Sequence, residues 1–438
     1  MRTLLPFICL VQLTVFSASA NQWPQFRGPD GNGHADSDAT GLPTEWSDTK
    51  NVKWKTPIPH KGWSTPLVSD TQVWLTTATA EGHDFFVLCL DRATGKVLHE
   101  AKLFHADKPE PLGNDLNSYA SPTGVLNDLV TASFNGGPVR QRGEVFLHFG
   151  SYGTACLDTA TFKEVWRRTD LPCRHYRGPG SSLFDWKDTI ILTMDGVDVQ
   201  YLCALDKKTG KTRWKTDRNT EFGDLQPDGK PQMEGDLRKA YTTPVVITVA
   251  GKPQLVSSGS KATVAYDPDT GKELWRTTYK GFSNASIPAW HDGVLAINTG
   301  HGKANLQAFK IDETTTGDIT GKLLWEQTKA IPTRSSPVTV NGIIYLNGDN
   351  GILAAVDFKD GSLLYNERGP ANSSASPLYA DGKLFFCDEH GTTTVLKPGR
   401  TFEKIAANTL PDGIMASPVA AGHHLFIRTR THLYCIGQ

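Results

Sequence analysis

The 438-residue chain carries 45 basic and 46 acidic side chains, a formal net charge of −1, and 38% hydrophobic residues. That balance excludes a general nucleic-acid binder, which needs a basic surface to displace counterions. Its seven cysteines include no C-x-x-C pair, which excludes a zinc knuckle and covalently attached c-type haem.

Residues 1–20 read as an export signal. Arg2 supplies the positive end, Leu4 to Phe16 are apolar apart from Gln12 and Thr14, and Ala18-Ser19-Ala20 gives the small-x-small cleavage pattern. The run is shorter than the roughly 20 apolar residues that span a bilayer. Cys9 lies inside it without the small residues that precede a lipidated cysteine, so no lipid anchor is expected. The expectation is cleavage near Ala20-Asn21 and a periplasmic or secreted protein without a transmembrane segment. Of the cysteines that remain, Cys89, Cys156 and Cys203 recur at one strand position of successive repeats, which points to small buried core residues.

Residues 21–50 read as an N-terminal strap. Its Asp30-Gly31-Asn32-Gly33 is a turn rather than a calcium loop, for it lacks the later bidentate Glu. Asn51 to Thr56 follow with strand character around Trp54. A repeat then begins. Leu90-Asp91-Arg92-Ala93-Thr94-Gly95-Lys96 returns as Leu205 to Lys211, ending on Trp214, and as Tyr266 to Lys272, ending on Trp275. Weaker copies end on Trp166, Trp325 and Tyr365. Asp and Thr side chains bond nearby amides in a hairpin turn, and Gly takes the positive φ at its corner.

Each unit opens on a small hydroxyl residue, usually before proline: Thr65, Ser121, Ser182, Thr243, Ser336, Ser376 and Ser417, with Ile287-Pro288 as a degenerate copy. Between these openings lie runs of four or five strand-like residues, and no stretch keeps a 3.6-residue apolar period. Four short strands per unit, repeated radially, predict an all-β, eight-bladed β-propeller of four-stranded antiparallel blades over 51–438. After Ser417-Pro418 only three strands remain, so the strand at Trp54 is expected to complete the last blade and close the ring. Trp54, Trp166, Trp214, Trp275 and Trp325 are read as inter-blade core. Residues 126–143 and 219–238 exceed the minimal blade and read as polar insertions.

The D-x-x-T-G-K…W units resemble the repeats of pyrroloquinoline-quinone (PQQ)-dependent alcohol dehydrogenases and their non-catalytic relatives. Those relatives include the propeller lipoprotein that assists outer-membrane protein assembly. Trp23-Pro24-Gln25-Phe26-Arg27-Gly28-Pro29-Asp30-Gly31-Asn32-Gly33 and Asn117 to Thr123 are similar to segments of exported PQQ-like repeat proteins of planctomycetes. The resemblance to the enzymes implies PQQ with calcium on the channel axis. Yet the adjacent cysteines of that family are missing, and no motif carries its calcium ligands or base across.

In such a ring, the loops leading into first strands and those joining second to third strands gather on one face. Leading loops offer Trp63, Tyr119, His175, Arg177, Tyr241 and Arg334; the turns offer Lys261, His301, His390 and Arg430, beside Arg428 and Asp388-Glu389. Aromatics and cations in this pattern suit a polar or anionic ligand, through stacking and bidentate Arg contacts. No nucleophile elbow, P-loop or dinucleotide fingerprint is present. The expected function is a non-catalytic, monomeric scaffold that binds a protein partner or a polar carbohydrate, with no catalytic residues, metal or cofactor. The alternative is a quinoprotein oxidoreductase acting on alcohols or sugars.

Overall fold

Val52–Pro57 pairs antiparallel with His432–Ile436 near the other end of the chain, with Trp54 opposite Cys435. The first strand of the fold is thus the fourth strand of its last blade, and the ring is closed as expected. The computed structural model describes residues 22–127 and 143–438, with the backbones of Val130–Ala132 and Pro138–Arg140 between them. The export signal and most of the insertion at 126–143 lie outside the described residues.

The blades follow one another at 67–105, 125–168, 184–217, 245–278, 289–327, 338–368, 378–409 and 419–436, the last completed by Val52–Pro57. Each is an antiparallel four-stranded sheet. Blade 4 gains a fifth strand, Gly317–Asp318, laid parallel beside Glu273–Thr278. Second and third strands are mostly buried, and wholly so in Ile343–Asn347 and Thr154–Asp158. Fourth strands alternate and face solvent, as in Thr212–Asp217. Successive sheets therefore bury each other's faces, which is the only way a small sheet buries both. Among the described residues the one helical element is a 3₁₀ turn, Gln232–Gly235.

The repeat motif builds the joint between blades. In blade 3, Asp206 Oδ1 accepts the Thr209 amide at 2.8 Å, and Gly210 turns the corner at φ 68°. A Cβ at Gly210 would stand 2.6 Å from the Trp166 ring of blade 2. Glycine is therefore needed twice, for the corner and for the indole lying on it. The Trp166 Nε1 donates to Lys207 O at 2.7 Å, which satisfies the one polar atom the packing would strand. Trp54 on Gly95, Trp214 on Gly271 and Trp325 on Gly361 repeat the joint, with indole donors to Arg92 O, Pro268 O and Phe358 O.

The six described cysteines are buried and form no disulfide with one another. Cys89 and Cys203 pack into their blades as small apolar residues, and burial drives both thiols up, that of Cys203 to about 12.

One unit opens elsewhere than its sequence suggests. The start of blade 2 is Thr123-Gly124, not Ser121-Pro122: Thr123 Oγ1 accepts the Thr65 amide at 2.9 Å, the role other units give to their opening hydroxyl. Any side chain at Gly124 would strike the Phe146 carbonyl at 2.2 Å, so the proline of the other units cannot stand there.

Candidate functional site

The opening hydroxyls form a chain around the channel. Thr65 N donates to Thr123 Oγ1 (2.9 Å), Thr123 N to Ser182 Oγ (2.9 Å) and Ser182 N to Thr243 Oγ1 (2.9 Å). A second arc runs from Ile287 N to Ser336 Oγ (3.1 Å), Ser336 N to Ser376 Oγ (2.9 Å) and Ser376 N to Ser417 Oγ (3.0 Å). The arcs part where Ile287 offers the Thr243 amide no hydroxyl. All six accepting hydroxyls line a cavity of about 550 Å³ on the channel axis.

The strap closes the other end. Trp23 exchanges two backbone bonds with Val68 of blade 1, Leu126 N bonds Pro24 O, and Asp185 N bonds Gln25 Oε1 of the strap. Arg27 crosses to the far side, donating to the carbonyls of Pro337 (2.7 Å) and Pro377, the residues that follow two ring serines. The strap then pairs with Tyr379 of blade 7 through Gly33 O and Ala35 N. Phe26 lines the cavity from this plug. The channel is a funnel open on one face only.

Of the residues expected on the rim, Trp63, Arg177, Tyr241, His301 and Arg334 line the cavity together. Arg430 stands at the mouth with its guanidinium 5.9 Å from the Trp63 ring centroid. The others do not join them. Tyr119 is buried and its hydroxyl donates to Glu110 O at 2.6 Å. His175 is buried, with Nε2 accepting the Ser151 amide at 3.1 Å, and burial lowers its pKa to about 4. Lys261 Nζ donates to Lys280 O at 2.8 Å, and His390 is exposed outside the cavity lining. Arg428 is fully buried, donating to Ser64 O at 3.0 Å and Thr76 O at 3.1 Å, and Asp388 caps its own turn by accepting the His390 and Thr392 amides. Sequence places a residue on a loop but not on which side of the loop its side chain falls.

Asp236 and Lys239, which the sequence reading did not single out, complete the wall with Asp349. Asp236 comes from the insertion at 219–238 and forms a buried ion pair with Lys239, the residue just after that insertion, and Lys239 Nζ also donates to Ser283 Oγ at 3.0 Å. Arg177 Nε lies 3.9 Å from the same Asp236 carboxylate and its guanidinium makes no hydrogen bond to the protein among the described residues. Asp349 accepts the Thr333 amide (2.8 Å) and hydroxyl (2.6 Å), and Glu389 accepts Ser374 Oγ (2.7 Å) and lies 3.2 Å from Arg334. Each carboxylate is thus already engaged, and among the described residues no three His, Cys, Asp or Glu side chains gather. That donor set does not fit a calcium-held quinone.

Comparison with known proteins bears on the fold and the family. The outer membrane protein assembly factor BamB of Yersinia pestis is 25% identical over 48% of this chain and 52% of its own length. The chain spans about half the length of the curated relatives it matches. A europium-containing methanol dehydrogenase superposes with a TM-score of 0.63 at 12% identity, covering 95% of this chain and 98% of its own. BamB from Moraxella catarrhalis does so with 0.54 at 11% identity, covering 88% and 99%. At such identities the structures attest the fold alone. A family described as outer membrane protein assembly factor BamB matches residues 87–226 and 198–437, and with nearly every blade inside those spans the chain belongs to this PQQ-type repeat family.

Proposed function

We propose that the protein is an exported, non-catalytic scaffold that receives a protein partner on the open face of the funnel. The observation that carries this reading is the mouth itself. Two long loops flank it and expose large apolar side chains: Leu116 at 49%, Leu225 at 64% and Met233 at 62%. Large apolar groups held out on loops around a cavity suit the desolvated centre of a protein contact. The match to assembly factors supports a protein as the occupant, and the Arg2 to Ala20 signal supports export to the periplasm or beyond.

Site-specific photo-crosslinkers at Leu225 and Met233, with Leu323 on an outer strand as control, test the reading in intact cells. The expected result is one recurrent protein adduct from the loop positions and none from the control. Adducts of equal strength from Leu323, or none from any position, would overturn it. Replacing Leu116, Leu225 and Met233 together by serine should weaken recovery about tenfold or more, since a few central side chains carry most of an interface's affinity.

A further inference from the structure

The cavity holds an excess of hydrogen-bond donors. Each of the six ring hydroxyls accepts a backbone amide, and none gives its own proton to a protein acceptor among the described residues. They are all more than nine-tenths buried. Among the described residues the Nε1 of Trp63 is buried without a hydrogen-bond partner and the Arg177 guanidinium donates no hydrogen bond to the protein, while Arg334 Nη1 meets only Glu389, at 3.2 Å. A buried polar group costs free energy unless it is satisfied, so so many unmet donors around one space call for an acceptor.

The charges agree. Arg177, Lys239 and Arg334 line the space against Asp236 and Asp349. Glu389 behind Arg334 and Arg430 at the mouth offset each other, which leaves one positive charge. Two further guanidinium groups are fully buried close by, with no carboxylate among the described residues in ion-pair reach: Arg27 beneath the ring serines, and Arg428 on the Ser64 carbonyl beside Trp63. Isolated buried cations are expensive, and an anion in the funnel offsets that cost. The whole chain is nearly neutral, so this positive field is a local construction.

We propose that the funnel is a carboxylate-binding site, in which the ring hydroxyls and the Arg177 and Arg334 guanidinium groups donate to one monoanionic carboxylate. The carboxylate comes either from an acidic side chain of the docked partner or from a free small acid. The first source rests on the docking reading above; the site itself does not.

Calorimetric titration of the purified chain with propionate and with acetyl-Ala-Asp-Ala-amide tests it, each against its amide twin (propionamide and acetyl-Ala-Asn-Ala-amide). The expected result is saturable binding of at least one acid, about tenfold or more tighter than its twin, as charge-assisted bonds imply. Binding of the peptide alone identifies the partner as the source, and binding of propionate as well admits a free acid. Arg177→Gln, which removes no protein hydrogen bond, should weaken binding about tenfold at unchanged Tm; Leu323→Ser should leave it unchanged. Equal binding of acid and amide, no saturable binding of either acid, or an Arg177→Gln protein that binds normally would overturn the proposal. Loss of the loop crosslinks with retained acid binding would remove the docking reading and leave this site standing.

Discussion

Four blade junctions use the same joint, an indole lying on a glycine, while the other four fill the same slot by other means. Between blades 1 and 2 the indole position holds His99 and the glycine position Phe162, and the two rings stack at 4.6 Å and 6°. Between blades 6 and 7 Tyr365 meets Phe402 edge-on at 5.6 Å. At blade 7 the position holds Ala406, and Trp46 of the strap packs into the same core cluster. At blade 4 the inserted strand Gly317–Asp318 lies beside Trp275, whose Nε1 turns back to Gln254 of its own blade. The lesson is that the fold requires a filled volume at each junction, not a residue type. At the junctions of blades 1–2 and 6–7 both members of the pair change together.

The sharpest way to break this equivalence is at ring closure. Trp54→Ala should cost about 3–5 kcal/mol, the range for deleting a buried aromatic, because it also frees the chain end that completes blade 8. Denaturant unfolding measures it, and a loss below 1 kcal/mol would show that closure does not depend on the joint. Next comes the corner itself. Gly210→Ala forces a left-handed φ on alanine and presses on Trp166, and should cost about 1–3 kcal/mol. Phe162→Gly relieves a left-handed φ of 59° while losing the stack on His99. Its net effect should therefore be the smaller of the two, and the opposite order in melting experiments would refute the idea of paired change.

A subtler difference is in proton uptake. Burial holds His148 and His175 neutral, with values near about 3 and about 4, against an ordinary value of 6.5. The unfolded chain binds these protons first, so their contribution is intact above about pH 6.5 and is lost as pH falls toward 4. His175→Gln should flatten part of that acid slope in Tm measured from pH 7 to 4; an unaltered slope would show that His175 does not take part. The smallest effect belongs to the exposed outer strands: Leu323→Ser, at 42% exposure, should move stability by no more than about 0.5 kcal/mol.

Much of the ring was legible because its signals are local. An Asp–Thr–Gly corner, a following Trp and a hydroxyl opening lie within one unit, so blade count and the closing strand at Trp54 followed from spacing. The start of blade 2 was misread because Ser121-Pro122 copies the local pattern. What selects Thr123-Gly124 is the Phe146 carbonyl on another strand. The rim was half legible for the same reason: Trp63, Arg177, Tyr241, His301 and Arg334 share the funnel, whereas Tyr119, His175 and Arg428 turn into the protein.

The sequence by itself determined the repeat, the number of blades and the way the ring shuts, since each depends on turn chemistry and strand length within some tens of residues. Only the tertiary structure decided that the strap stops one end of the channel, that Arg27 and Arg428 are buried with no counter-ion among the described residues, and that six hydroxyls from different blades accept backbone amides in two arcs. Those features arise from residues as far apart as Arg27 and Pro377, and no local propensity encodes a contact between segments that meet only when the circle is complete.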